Sequence, residues 1–202
     1  MAAEAALKTF GATDTRQRLI DVAVRLFTRH SFAGTSLQMI ADELGVTKAA
    51  VYHHFHTREP LLSAVVEPLL GQLRAIIEIA EAQRTRHARA DHMLTGYAAL
   101  AVRNRALIAV LAADPAVIET LRAQRDLGDL INRQIVLLAD VDPGPAGLVK
   151  AALVLAGIAG AAGPTLVNLD DDALRQHLVQ ASRRTLGLRT PRRPTPGGGA
   201  RP

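Results

Sequence analysis

Three histidines crowd one short stretch, His53-His54-Phe55-His56, with Lys48 and Tyr52 just ahead of them. Two chemistries could use such a set. A metal site wants ligands three or four residues apart on one helical face, completed by a thiolate or a carboxylate. The chain has no Cys, and no acidic partner lies at a useful spacing from these imidazoles. No metal is therefore expected, and the same side chains suit the other chemistry, hydrogen bonding to a nucleic acid. Catalytic signatures are missing elsewhere: there is no Gly-rich phosphate loop, no Gly-x-Ser-x-Gly and no carboxylate pair in an acid–base setting. Neither an enzyme nor a cofactor is expected. His87 and His92, with Arg84, Arg86 and Arg89, read as a solvated polar face, and Asp170-Asp171-Asp172 as acids that suit a helix N-terminus.

The elements that would carry Lys48 and Tyr52 are two short helices. Residues 36–55 read SLQMIADELGVTKAAVYHHF. Thr35-Ser36-Leu37-Gln38 is a capping-box pattern, and Leu37, Ile40, Ala41 and Leu44 line one face behind it. Gly45 supplies a left-handed residue at the turn, and Thr47 caps the next helix, whose Val51 and Phe55 face inward. Small Ala41 lets the two helices cross closely, with Val46 and Val51 plugging one onto the other. A preceding helix, expected over Asp14–Arg29 with Asp14 as its cap, completes a three-helix core through Leu19, Ile20, Ala23, Leu26 and Phe27. This is a helix-turn-helix, in which the second helix fits the major groove of double-stranded DNA.

The longer string from Thr35 to Leu61, a Thr-Ser opening, Ile-Ala-x-Glu-Leu-Gly-Val, then Val-Tyr-x-His-Phe-x-x-Arg-Glu-x-Leu, resembles the TetR family of bacterial transcriptional regulators. The resemblance runs from Thr15 to about Leu62. It implies a recognition helix over Thr47–His53, with Lys48, Ala49 and His53 facing base edges and Tyr52 and His54 meeting phosphate. It implies a further phosphate clamp at Arg58, where the family usually has Lys, and contacts from Thr35, Ser36 and Gln38. Two positions depart from the pattern. Ser31 stands where the family mostly has Gly, so that turn is expected to be strained or rearranged. Pro60 replaces a usual acidic or polar residue and lacks the N–H that Thr57 would otherwise cap, leaving Glu59 for the bond.

Composition fits an ordinary helical protein. Of 202 residues, 49% are apolar and only 3% aromatic, with no Trp, which argues against a stacking platform for single strands. The net charge is +5. Six Arg between positions 183 and 202 supply it, and without them the 24 basic residues fall to 18 against 19 acidic ones. Basic groups that meet DNA must therefore be placed locally. Lack of Cys suits a cytoplasmic location, and no secretory signal is expected at the start. The uncharged stretch Ala151–Leu169 is short for a bilayer span, so no membrane partner is expected.

The organisation read from these patterns is all-α. A flexible arm is expected over 1–13, the DNA-binding three-helix bundle over 14–57, a helical ligand-binding and dimerisation domain over 58–188, and a disordered basic tail over 189–202. A helix from Thr57 is expected to kink at Pro68. After a break at Gln83–Asp91, helical pattern resumes over Asp91–Asn104, Asn104–Ala113, Pro115–Ala139, Pro145–Ala162 and Asp170–Leu186. Ala152, Leu155 and Ala159, with Leu174, Leu178 and Ala181, give apolar faces suited to a homodimer interface of four helices, two from each copy. The resemblance implies a small-molecule effector in the middle of the chain. All four Phe lie at or before residue 55 and Tyr97 is the one aromatic beyond it, so an aliphatic ligand is expected, with Tyr97, Arg103 and Asn104 as polar contacts. The resulting expectation is a repressor that binds a palindromic operator as a dimer and is released by an apolar ligand. A ligand-independent regulator whose C-terminal domain only dimerises, and an enzyme or carrier reusing the fold, are the alternatives.

Overall fold

The computed structural model describes residues 2–122, 125–163 and 169–188, and every regular element among them is an α-helix. The tail expected over 189–202 lies outside the described residues. The first helix, α1 (Ala2–His30), begins far ahead of Asp14. The residues before Asp14 include Ala2, Ala3, Ala5, Ala6, Leu7 and Lys8, all strong helix formers, so the arm expected over 1–13 is helical from Ala2. Asp14 is thus internal to the helix rather than its cap. Gln17 donates from Nε2 to Asp21 Oδ1 at 3.0 Å, one turn on.

Two short helices follow, α2 (Leu37–Leu44) and α3 (Lys48–His54). Leu19 of α1, Ile40 and Ala41 of α2 and Val51 of α3 are all fully buried, with Phe27 packed edge-on against Phe32 at 5.3 Å. Such a ring pair adds about 0.5–1.5 kcal/mol to the area it buries. Leu61 and Leu62 of α4 (Arg58–Glu81) close the base of this head. That helix runs unbroken past Pro68 and carries the chain into the helical domain.

There α5 (Arg86–Arg103) is the central element, packed on α4, on α8 (Arg125–Ala139) and on α10 (Asp171–Leu186). Met93, Leu94, Ala98 and Leu100 are fully buried along it. Gly96 brings α4 and α5 together: a Cβ there would lie 2.6 Å from Ile76 Cγ2. The helix starts before the expected Asp91 because Thr85 caps it, accepting from Ala88 N at 3.2 Å. α6 (Arg105–Ala113) packs on α1 and on α9 (Pro145–Ala162). A single helix was expected over Pro115–Ala139. Of that span, α7 (Pro115–Arg122) and α8 are helical, and residues 123–124 lie outside the described residues.

By length and composition alone, α4 and α9 could cross a membrane. α4 is a core helix, packed on α1, α5 and α8. α9 seats Ala151, Val154, Ile158 and Ala162 inward and leaves its other side open, with Leu148, Val149 and Leu153 at 50, 59 and 61% exposure.

Candidate nucleic-acid interface

Local chemistry sets the geometry of the α2–α3 unit. Ser36 caps α2, its Oγ accepting from Met39 N at 3.1 Å, and Thr47 caps α3, accepting from Ala50 N at 3.3 Å. Gly45 sits at φ 72°, the left-handed region that penalises a side chain, and its N–H closes the end of α2 on Asp42 O. Nothing crowds a Cβ at that position, so backbone conformation alone calls for glycine. With both ends capped, α3 turns only Val51 fully inward.

The remaining side chains of α3 form a face standing clear of α1 and α2. Lys48, Ala49, Tyr52 and His53 are exposed, and Tyr52 retains 39% of its surface. Lys48 Nζ lies 5.4 Å from the centre of the Tyr52 ring, one turn along, which holds both side chains on the same face. His53 and His54 meet edge to face at 5.3 Å. His54 is half-buried, and burial first, then the neighbouring His53 and Arg16, push its imidazole below the ordinary value. Burial thus disfavours the charged form of this imidazole.

Beside this face a groove of about 490 Å³ runs between α2, α3 and the start of α4, walled by Ser36, Gln38, Lys48, Tyr52, His56 and Thr57. Ser36 is exposed at its rim with its hydroxyl hydrogen still available. Gln38 is exposed too, although its amide donates to Asp42 Oδ1 at 2.7 Å. The groove joins a lysine, hydroxyls, an amide and one imidazole around the N-terminus of α2, a donor set suited to phosphate oxygens, with the Glu59 carboxylate also on its wall.

Two residues assigned to phosphate are used otherwise. Thr35 is 1% exposed, and its hydroxyl donates to Ser31 O at 2.8 Å, because the tight turn before α2 folds it under the loop. Arg58 points into that same turn. Its Nη1 donates to Phe32 O at 3.1 Å, and to Ala33 O and Thr35 O at 3.0 Å each, while the guanidinium lies 5.1 Å from the Phe32 ring centre. It fastens the loop that precedes α2. The turn also bears out the reading of Ser31, which adopts φ 62°, the one positive φ of a non-glycine residue among those described. Its Oγ accepts from Gly34 N at 3.2 Å. Thr57 does not cap Glu59 N–H. Instead its hydroxyl, with the Glu59 backbone N–H, holds the Glu59 carboxyl below its ordinary value.

In the helical domain the three polar residues assigned to a ligand diverge. Tyr97 is turned inward, and burial raises its phenol. Asn104 donates from Nδ2 to Leu100 O at 2.8 Å, closing α5, and Arg103 is exposed. Two buried oxygens on the packed pair α5 and α8, Thr95 Oγ1 and Gln134 Oε1, have no hydrogen-bond partner among the described residues, a signal that sequence reading missed. Of the dimer set, Ala152 and Ala181 are exposed, while Leu155, Ala159 and Leu178 are half-buried. Leu174 is 2% exposed and belongs to the chain's own core. The open row on α9, Leu148, Val149, Ala152, Leu153, Ala156, Gly157 and Gly160, carries no charge.

Comparison with known proteins agrees with this geometry. Residues 19–65, α1 through the first turns of α4, match the family described as bacterial regulatory proteins, tetR family. The chain is 45% identical over 56 residues to the HTH-type transcriptional regulator AcrR of Shigella flexneri, a match covering 28% of this chain and 26% of that protein. Its fold is similar to that of a tetR-family bacterial regulatory protein from Rhodococcus RHA1, with TM-score 0.67 at 18% identity over 87% of this chain and 98% of the other. It is also similar to AibR, solved in complex with isovaleryl coenzyme A and operator DNA, with TM-score 0.63 at 16% identity over 82% and 96% of the two chains. The sequence match covers only the head, whereas the structural likeness extends through the helical domain. Residues 19–65 thus match the helix-turn-helix region of the tetR family of bacterial regulatory proteins, and the described fold as a whole is similar to that of a tetR-family regulator.

Proposed function

We propose that the chain is a sequence-specific DNA-binding transcriptional regulator that places α3 in the major groove of a palindromic operator. The observation that carries this reading is the exposed face of Lys48, Ala49, Tyr52 and His53 on a short helix whose one fully buried side chain is Val51. Lys48 donates to a guanine edge or to phosphate, and the Ala49 methyl meets a thymine methyl. Ser36, Gln38, Tyr52 and His54 fix the register on phosphate. A second copy packs on the open row of α9, with Ala181 of α10 at its border. Small Ala152, Ala156 and Gly160 recur every fourth residue, which allows two α9 helices to approach closely across a two-fold axis. The chain acts as a cytoplasmic repressor released by a small apolar ligand. The buried Met93, Leu94 and Ala98 of α5, and the oxygens of Thr95 and Gln134 that have no partner among the described residues, suit an acyl compound with a polar end. Isovaleryl coenzyme A, bound by AibR, is of that class.

Titration of a duplex selected from random DNA, at several salt concentrations, tests the reading. Lys48→Ala should weaken binding and reduce the salt slope by about one counterion if Lys48 meets phosphate, or relax base preference at one position if it meets a guanine. Binding indifferent to Lys48→Ala, Tyr52→Ala and His53→Ala together would refute it.

A further inference from the structure

One peptide group in the turn between α1 and α2 is held at both ends by charge. The Phe32 carbonyl oxygen accepts from Arg58 Nη1 at 3.1 Å, and the Ala33 N–H on the other side of the same peptide bond donates to Asp114 Oδ2 at 2.9 Å. A cation at the oxygen and an anion at the N–H polarise the peptide in the same sense, so each hydrogen bond strengthens the other. Arg58 opens α4. Asp114 is 81 positions from Ala33 in sequence and belongs to the helical domain, where it closes α6 and precedes Pro115 of α7.

Asp114 is well placed to transmit position. It is 7% exposed, and its backbone oxygen accepts from Val117 N at 3.1 Å, which fixes it to the first turn of α7. α6, which it ends, packs on α1 and on α9, the helix with the open apolar row. The gripped turn has little slack. Ser31 is held at φ 62°, Thr35 Oγ1 bonds Ser31 O at 2.8 Å, and Arg58 also bonds the Ala33 and Thr35 oxygens. A displacement at the end of α6 therefore reaches the start of α2 through hydrogen bonds rather than through a loose loop.

We infer that Asp114 and Arg58 are positioning residues, which grip the Phe32–Ala33 peptide from the end of α6 and the start of α4 and so set the orientation of the α2–α3 unit on the helical domain. The consequence for DNA rests on the function proposed above, whereas the orientation itself does not. Neither residue needs to touch the duplex. Their effect is on the spacing of the two recognition helices, which must match the half-sites.

Absence of Cys makes the test direct. Spin labels at Arg18→Cys on α1 and Gln180→Cys on α10, both exposed positions, report the head-to-body distance in the full chain. Labelled protein is diluted with unlabelled protein, and no DNA is present. The parent and Asp114→Asn, which keeps an acceptor oxygen for Ala33 N–H, should give the same narrow distribution. Asp114→Ala should broaden or shift it. In a second measurement Asp114→Ala should bind the selected duplex roughly tenfold more weakly through lost preorganisation, with an unchanged salt slope because no phosphate contact has gone. If Asp114→Ala does not fold, Asp114→Glu serves, since one added methylene pushes the turn away and should displace the distribution. A distribution unmoved by Asp114→Ala, or by Asp114→Glu in its place, overturns the proposal. Failure of the parent to bind any DNA would strike the functional reading and leave the distance result standing.

Discussion

Replacing Arg58 by Met separates two roles that the same arginine could play, and the structure gives the size of the effect. Nη1 carries two hydrogens and faces three carbonyl oxygens, those of Phe32, Ala33 and Thr35. It therefore supplies the equivalent of two full hydrogen bonds. Bonds from a charged donor contribute about 1.5–3 kcal/mol each, and the lower end applies where water can replace the donor, as at the exposed Ala33 oxygen. The guanidinium over the Phe32 ring adds about 0.5–1 kcal/mol, part of which a Met side chain recovers by packing. The expected loss is about 3 kcal/mol. Urea unfolding at fixed protein concentration should show it as a midpoint lower by about 1 M, for a slope near 3 kcal/mol/M. Arg58→Lys should recover more than half of the loss, since an ammonium offers charged donors to the same oxygens without the planar stack. DNA affinity should fall with the integrity of the turn, but the salt slope should not change. An Arg58→Met protein as stable as its parent, with the slope reduced by about one counterion, would make Arg58 a phosphate ligand and refute the loop-clamp assignment.

Three other substitutions have definite expected outcomes. Ser31→Gly should raise stability by about 0.5 kcal/mol, the relief of left-handed strain less the lost Oγ bond to Gly34 N and the added chain entropy, whereas Ser31→Ala should lower it; equal effects of the two would dismiss the strain. Leu153→Glu, placed in the open row of α9, should convert a dimer to a monomer by sedimentation and weaken binding to a two-half-site duplex about tenfold or more, because the second head is no longer tethered. Glu81→Gln tests a pH dependence. Arg133, bonding Glu81 at 3.0 and 2.7 Å, holds its carboxyl below the ordinary value. A carboxyl lowered in the folded state stabilises above its unfolded value, and that contribution is lost as pH falls through the folded value. The pair is exposed, so the variant should be less stable by under about 1 kcal/mol at pH 7, with the difference gone in strong acid.

The head was legible in the sequence because its signals are local. Capping residues Ser36 and Thr47, Gly45 at the turn and the apolar positions Leu37, Ile40, Ala41 and Val51 each act within a few residues of themselves. Helix identity in the domain beyond was legible for the same reason, while boundaries shifted where a cap was passed over, as at Thr85. Side-chain partnership across the fold was not legible. Arg58 reads as a phosphate clamp until tertiary packing brings the Phe32–Thr35 carbonyls beneath it. Asp114 before Pro115 reads as an ordinary helix start, and nothing in its neighbourhood reveals a partner at Ala33. Leu174 and Ala181 lie on one apolar pattern, yet one is in the core and the other open, since periodicity assigns a face and does not say whether the chain itself or a second copy covers it.

The most direct measurement of the central claim is repeated selection of bound duplexes from random double-stranded DNA by the full chain, followed by sequencing of the bound pool. Entry of α3 from each of two copies into the major groove predicts two inverted half-sites, with centres about 34–36 Å apart or a multiple of that spacing. The enriched bases should change when Lys48 and Ala49 are replaced. A pool without enrichment, or an enriched sequence that survives replacement of the whole exposed face of α3, would contradict it.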